Sequence, residues 1–181
     1  WLRKAPWGNP VFSGMFMSLV GFGALGGITG VVMGTEQINL LIHNSMYVPG
    51  HFHATVVIGT TLAFMAITYW LVPILFRRDL ILKGVARWQP YVFGLGMTGV
   101  AMFLMGAGTL GVPRRHWDIL FSGAAAGSGY EFSPAALTMM SLNGMSVLLA
   151  GLGGAMYILV VVGSILFGRK LGENEKLGVE M

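Results

Sequence analysis

Two histidines, His51 and His53, are separated by one residue within the segment HNSMYVPGHFH at positions 43–53, where a long apolar stretch begins. In an α-helix two residues turn the chain by about 200°, so the two imidazoles would point to nearly opposite faces. A single metal ion bound by two histidines of one helix favours i, i+4 spacing on one face. The spacing of this pair therefore predicts two separate partners, one on each side of the helix.

The partners of His51 and His53 must accept a neutral imidazole in an apolar environment. Haem iron is the usual partner of this kind. The alternative is a pair of imidazoles that only hydrogen-bond to neighbouring helices. Ionisable residues inside a membrane are rare, costly and commonly functional, which favours ligation.

The composition places the histidine pair in a membrane protein. Of the 181 residues, 55% are hydrophobic and 10% are charged, whereas a soluble domain has about 25% charged residues. Cysteine is absent, which excludes a disulfide framework, a zinc–thiolate site and a cysteine-bound iron–sulfur cluster in this sequence. The net charge of +4 is small and scattered, so we expect no nucleic-acid partner.

Four uncharged stretches are long enough to cross a bilayer, which takes about 20 apolar residues. They are Pro10–Met33, His51–Phe76, Gln89–Gly111 and Phe132–Gly168. The last stretch is overlong for one crossing and too short for two with a turn, so we expect one tilted or protruding helix. A polar tail follows at 169–181. The sequence therefore predicts an all-α integral membrane protein with four transmembrane helices.

Glycine spacing in the first stretch predicts close packing between helices, because small residues let two backbones approach. The G-x-x-x-G pairs are Gly23–Gly27, Gly26–Gly30 and Gly30–Gly34. We expect all three pairs to contact neighbouring helices.

Lysine and arginine predict the orientation, because they are enriched in cytoplasmic loops. With four crossings, nine of the eleven basic residues fall on one side. We therefore expect both termini in the cytoplasm or on its topological equivalent. The sequence opens with Trp1 and lacks a basic region followed by a short apolar run and a cleavage site. We expect a fragment, a processed chain or one piece of a split subunit.

The two remaining cations are Arg114 and Arg115, in the segment GVPRRHWD on the opposite side. His53 belongs to that side too, because it lies 23 residues (76 − 53) from Phe76, about 35 Å of helix in a hydrocarbon core about 30 Å thick. The arginines could be an ordinary solvated pair in a loop. Alternatively, their planar guanidinium groups could bind the carboxylates of haem propionates. Their position near two expected haems favours propionate binding.

These segments together resemble a known family. HNSMYVPGHFHATVV is similar to the haem-ligating segment of subunit I of the haem–copper oxygen reductases, the cytochrome c oxidase family. GVPRRHWD resembles the propionate-binding arginine motif of that family, and WGNPVFSGMF with GGITGVV resembles the helix before the ligand helix. The resemblance covers nearly the whole chain, least well residues 119–181. It corresponds to the C-terminal third of a subunit built as a bundle of the twelve-helix type.

The resemblance implies a role for each matched residue. His51 would be the axial ligand of the high-spin haem, where oxygen binds and is reduced. His53 would be one of the two axial ligands of the low-spin haem, and Phe52 would lie between the two haems. Arg114 and Arg115 would bind propionates.

His43 would lie near the propionate of the high-spin haem and the proton-exit region. Many A-type members have His–Asp where this chain has His43–Asn44, and that pair helps to bind a magnesium ion. Asn44 is a poorer ligand for a hard cation than a carboxylate, so this chain departs from the magnesium-binding pair of those members. Asn44 together with VPGHFH is more similar to the B-type branch.

The resemblance also implies the activity. With the remaining subunit I helices, the chain would reduce oxygen to water and translocate protons. Electrons would come from cytochrome c or quinol, with a copper A subunit II for electron entry. The copper B histidines, the redox-active tyrosine and the second low-spin ligand would lie in earlier helices, so this chain would not be catalytic alone. We expect a multi-pass protein of a bacterial or archaeal plasma membrane.

Two alternatives remain open. A nitric oxide reductase of the same superfamily shares the two haems but pairs one of them with non-haem iron; VPGHFH together with PRR favours the oxygen reductase. A non-catalytic scaffold or transporter subunit would use the histidines only for hydrogen bonds within the membrane. Metal analysis distinguishes the first alternative, because an oxygen reductase contains copper where the nitric oxide reductase contains non-haem iron. The absence of haem would favour the second alternative.

Overall fold

The computed structural model describes residues 2–115, 132–172 and 175. Four of its helices are long and apolar enough to cross a bilayer, which confirms the predicted all-α membrane fold. A fifth, short helix follows the first crossing. In chain order the helices are α1 (Pro10–Gly34), α2 (Glu36–Ile42), α3 (Tyr47–Phe76), α4 (Lys83–Thr109) and α5 (Pro134–Phe167).

Two helices begin before the uncharged stretches that predict them. Helix α3 begins at Tyr47. Pro49 can lie in its first turn, because the N–H that proline lacks would have no partner within the helix there. Helix α4 begins at Lys83, whose ammonium group lies 3.2 Å from the carboxylate of Asp79. Helix α5 is continuous over 34 residues, which gives it a length of about 51 Å.

Helices α1 and α3 each contain a π-helical segment, at Gly21–Gly26 and His53–Thr61. The two segments pack against each other: a Cβ atom on Gly21 would overlap the side chain of Ile58, and one on Gly59 would overlap that of Phe22. The Ser18 hydroxyl donates a hydrogen bond to the carbonyl of Gly59. Wide turns of this kind occur often at functional sites, and the α3 segment begins at one of the two histidines.

The glycines on one face of α1 contact α3, and those on the other face do not. A Cβ on Gly26 would lie 2.6 Å from Thr55 Cγ2, and one on Gly30 would lie 3.1 Å from His51 Cε1. A Cβ on Gly23 or Gly34 would have no atom of another helix within 4 Å in the described part of the chain. Within the described residues, only the middle G-x-x-x-G pair contacts a neighbouring helix with both members, so packing by the other two pairs stays a prediction.

Helix α4 is the most buried of the four crossings and packs along α5 through small residues. A Cβ on Gly96 would lie 2.5 Å from the backbone nitrogen of Ala150, and one on Gly153 would lie 2.5 Å from that of Phe93. Such contacts between backbones are typical of membrane helices. They make α4 the central helix against which the other elements are positioned.

The loops collect at two ends of the helices. At one end, a bridge joins Arg78 to Lys170, and the Tyr91 hydroxyl donates to the carbonyl of Trp7 over 2.7 Å. The N-terminal segment, the loop 77–82 and the start of the polar tail therefore lie together. In that tail the guanidinium of Arg169 hydrogen-bonds Glu175 over 2.8 Å, which lowers the pKa of the Glu175 carboxyl.

Candidate functional site

The start of α3 is seated directly on the backbone of α4. A Cβ on Gly50 would lie 2.7 Å from the nitrogen of Met105 and 2.8 Å from the carbonyl oxygen of Ala101. A Cβ on Gly108 would overlap the backbone nitrogen of Tyr47. Only glycine fits at both positions, because the atoms opposite belong to backbone. This contact fixes the position of the histidine pair that follows.

His51 lies against α1 and is half-buried. Its Nδ1 atom is 2.8 Å from the hydroxyl oxygen of Thr29. Its Cε1 atom lies over Gly30, 3.1 Å from where a Cβ would stand. With Nδ1 engaged by the hydroxyl, Nε2 is the ring nitrogen left for a further partner.

His53 has a different environment. Its Nδ1 atom is 2.6 Å from the carbonyl oxygen of Pro49, one turn earlier in the same helix. Because a carbonyl only accepts hydrogen bonds, Nδ1 carries a proton, and in the neutral ring Nε2 then has the lone pair. His53 lines a cavity of about 550 Å³ next to Leu104 of α4, whereas His51 contacts α1. The two imidazoles therefore have different neighbours, as their i, i+2 spacing predicts.

The cavity next to His53 is also lined by Phe52, Arg114 and Arg115. The Phe52 ring is 54% exposed and meets the His53 imidazole edge-on, with ring centres 6.3 Å apart. The Nε atom of Arg114 is buried and has no hydrogen-bond partner among the described residues. A buried guanidinium N–H without an acceptor is costly, and a carboxylate is its strongest partner.

A short two-stranded contact holds the arginines beside α3. The backbone nitrogen of Met46 donates to the carbonyl of Val112 over 2.9 Å, and that of Arg114 donates to the carbonyl of Asn44 over 2.9 Å. Arg115 follows with a φ of 65°, in the left-handed region that a non-glycine residue rarely adopts. Strained backbone of this kind is concentrated at functional sites.

His43 lies at the same end of the molecule, outside the cavity lined by His53. It is exposed at the end of α2, and its Nδ1 atom is 3.0 Å from the carbonyl oxygen of Asn39. The neighbouring Asn44 amide oxygen faces the guanidinium of Arg114 at 3.5 Å. Asn44 therefore contacts an arginine through both its backbone and its side chain.

Comparison with known proteins decides the family. Residues 1–152 match the family model described as cytochrome C and quinol oxidase polypeptide I. The chain belongs to this family. It is 37% identical over 117 residues to cytochrome c oxidase subunit 1 of Thermus thermophilus, covering 64% of this chain and 21% of the relative. It is 42% identical over 67 residues to quinol oxidase subunit 1 of Sulfolobus acidocaldarius, covering 35% of this chain and 13% of the relative.

A solved haem–copper terminal oxidase dimer has the same arrangement of helices. The superposition gives a TM-score of 0.81 at 30% sequence identity and covers 97% of this chain. It covers 30% of the solved chain. This oxidase polypeptide I chain thus spans about a fifth of the Thermus relative and under a third of the solved chain.

The described side chains of this oxidase polypeptide I segment fit the haems that its family implies. His53 Nδ1 is held by a carbonyl and His51 Nδ1 by a hydroxyl, so each ring can offer Nε2 to an iron. Arg114, whose buried Nε has no partner among the described residues, lines the same cavity as His53, where its guanidinium could receive a propionate. Imidazole and guanidinium are the donor types that a haem needs at its iron and at its carboxylates.

Proposed function

We propose that this chain is the haem-binding C-terminal segment of a terminal respiratory oxidase subunit I. With the remaining subunit I helices it reduces oxygen to water and couples this reaction to proton translocation. The observation that carries the proposal is the shared cavity of His53, Arg114 and Arg115, with His51 turned to a different neighbour of the same helix. One helix thus offers two imidazoles to two cofactors.

In this proposal His51 ligates the iron of the high-spin haem and His53 ligates the iron of the low-spin haem. The haems, when bound, supply electron transfer and the site at which oxygen is reduced. The chain supplies their orientation, because the hydrogen bonds that both Nδ1–H groups donate fix the tautomer and the rotation of each ring. Phe52, whose ring lies in the cavity beside His53, stands between the two haems.

Arg114 and Arg115 bind propionates in the proposal. Arg114 is the stronger candidate, because its Nε atom is buried without a partner among the described residues, while Arg115 is exposed. A guanidinium there neutralises an anionic carboxylate and stabilises the reduced state of the haem that carries it. His43 is proposed to lie near the propionate of the high-spin haem, at the same end of the bundle.

In this proposal, other helices and subunits contribute several components of the oxidase. Copper B, its ligands and the second ligand of the low-spin haem are contributed by other helices of subunit I, and electrons enter through a copper A subunit II. The relatives include both a cytochrome c oxidase and a quinol oxidase, so either donor fits the family. The similarity of Asn44 and VPGHFH to the B-type branch favours that branch.

The proposed orientation puts both termini in the cytoplasm of a bacterial or archaeal cell. The N-terminal segment, the loop 77–82 and the start of the tail lie at one end of the helices, and most of the basic residues are found there. Arg114 and Arg115 lie at the other end, with the histidine pair. This distribution follows the positive-inside rule, with the two proposed propionate-binding residues as the exceptions among the described residues.

The test is spectroscopic and uses the purified complex that contains this chain. Reduced-minus-oxidised spectra should show a low-spin haem, and carbon monoxide difference spectra should show a second, high-spin haem. Metal analysis should find copper; non-haem iron in its place would favour a nitric oxide reductase. A complex without haem would overturn the proposal and leave a non-catalytic membrane subunit.

A further inference from the structure

The hydroxyl of Thr29 is shared between its own helix and the imidazole of His51. Thr29 Oγ1 lies 2.7 Å from the carbonyl oxygen of Leu25, 3.1 Å from that of Gly26 and 2.8 Å from His51 Nδ1. A threonine hydroxyl has one proton to donate and two lone pairs to accept with. Because the two carbonyl oxygens only accept, the hydroxyl proton is directed to α1, and the nearer acceptor is Leu25. A lone pair of Oγ1 then faces Nδ1, so Nδ1–H is the donor to Thr29.

The neighbouring glycine lets the ring reach this hydroxyl. The Cε1 and Nε2 atoms of His51 would lie 3.1 Å and 3.7 Å from a Cβ placed on Gly30. Contacts of 3.1 Å are tighter than ordinary van der Waals packing, so a side chain at this position would push the ring. Thr29 and Gly30 together therefore set both the rotation of the imidazole and its distance from α1.

We propose that Thr29 is a positioning residue for the haem ligand His51. It holds the proton on Nδ1, leaves the lone pair of Nε2 for the iron and, by accepting the Nδ1–H hydrogen bond, increases the basicity of the ligating nitrogen. This inference rests on the proposed function, in which Nε2 of His51 binds the iron of the high-spin haem.

The second histidine provides an internal comparison. His53 Nδ1 donates to a backbone carbonyl, that of Pro49, which no side-chain substitution removes. The hydrogen-bond partner of His51 is a side chain on another helix and can be changed alone. A substitution of Thr29 should therefore affect the high-spin haem and leave the low-spin haem unchanged.

The test compares Thr29→Val with the unsubstituted oxidase complex by resonance Raman spectroscopy and redox titration. Valine has nearly the shape of threonine but cannot accept a hydrogen bond. We expect the iron–histidine stretching band of the reduced high-spin haem to move to lower frequency and its midpoint potential to rise, because the imidazole becomes a weaker donor. The rate of oxygen reduction should fall by about 10- to 100-fold, as for other partners of metal ligands. Thr29→Ser should restore the band, the potential and the rate.

Thr55→Val is the matched control. Thr55 is also close to His51, but its hydroxyl donates to the backbone carbonyls of His51 and Phe52 at 3.2 Å each and not to the imidazole. This variant should keep the unsubstituted band and potential. If Thr29→Val does not assemble, Thr29→Ala allows the same comparison.

The outcomes separate this inference from the proposed function. An unchanged iron–histidine band and potential in the Thr29 variant would overturn the positioning role while leaving the ligation by His51 intact. Equal changes in both haems would overturn it too, since they would indicate a general disturbance of the fold. An unsubstituted complex without an iron–histidine band would overturn the proposed function itself.

Discussion

The close contact between Gly50 of α3 and the backbone of α4 allows a quantitative prediction for Gly50→Ala. The added Cβ would lie 2.6 Å from Met105 Cγ, 2.7 Å from its backbone nitrogen and 2.8 Å from the carbonyl oxygen of Ala101. Ordinary contacts begin at 3.4 Å, so the helices would have to separate by about 0.6–0.8 Å, which is the difference between these distances. Two of the three opposing atoms belong to the backbone of α4 and cannot rotate away.

Two effects of this substitution oppose each other. Overpacking of a well-packed contact costs about 1–3 kcal/mol, whereas replacing glycine by alanine inside a helix stabilises it by about 0.5–1 kcal/mol. Overpacking is the larger effect, so we expect a net destabilisation of about 1 kcal/mol, within a range of about 0–2.5 kcal/mol. A loss of about 1 kcal/mol is roughly a 5-fold change in the folding equilibrium constant. Because His51 follows Gly50 directly, the loss should also appear as weaker haem retention.

The assay is a denaturant titration of the purified complex, followed by the Soret absorbance and by the ratio of haem to protein. Gly50→Ala should shift the midpoint to a lower denaturant concentration and lower the haem ratio. Gly84→Ala is the control, because nothing in the described part of the chain lies within 4 Å of its new Cβ; it should be neutral or slightly stabilising. Equal stability of the two variants would refute the argument that backbone contact at Gly50 seats the histidines.

Two further predictions concern single side chains. Arg114→Ala should lower the midpoint potential of the low-spin haem in a redox titration, because it removes a cation from the cavity of His53. Arg115→Ala should lower this potential less, because the Arg115 side chain is exposed. Equal shifts in the two variants would argue against the propionate role of Arg114. Tyr69→Phe should destabilise the complex by about 1–3 kcal/mol in the same denaturant titration. The Tyr69 hydroxyl donates to the amide oxygen of Gln89 over 3.1 Å, and Gln89 is fully buried, so the substitution leaves this oxygen without its donor. An unchanged midpoint would show that the hydroxyl does not stabilise the fold.

Much of the fold can be predicted because a membrane imposes strong constraints. A crossing helix needs about 20 apolar residues, and every backbone group must bond within it. Four uncharged stretches therefore predict four helices, and the structure has them. Helix length also predicts that Arg114, Arg115 and His53 lie at one end of the helices, whereas the cavity that all three line is seen only in the structure.

Other features cannot be predicted from local pattern. Periodicity does not reveal the π-helical segments at Gly21–Gly26 and His53–Thr61, because apolar residues on all sides satisfy either geometry. Glycine spacing does not show which face meets a helix, so it predicts contacts for Gly23 and Gly34 that the described part of the chain lacks.

Thr29 is the site residue that sequence reasoning missed. It lies 22 residues (51 − 29) before His51, and only the packing of α1 on α3 brings the two together. A hydroxyl followed by Gly30 within an apolar crossing was the available signal. This signal is weak, because threonine in a helix commonly donates to a carbonyl of its own helix, as Thr29 also does with Leu25.

The most direct test of the account is a pair of substitutions in the assembled complex, each read by reduced-minus-oxidised and carbon monoxide difference spectra. We expect His51→Ala to abolish the carbon monoxide-sensitive high-spin signal and His53→Ala to disturb the low-spin band, because the two rings serve different haems. Both spectra unchanged in both variants would contradict the central claim that this helix ligates two haems.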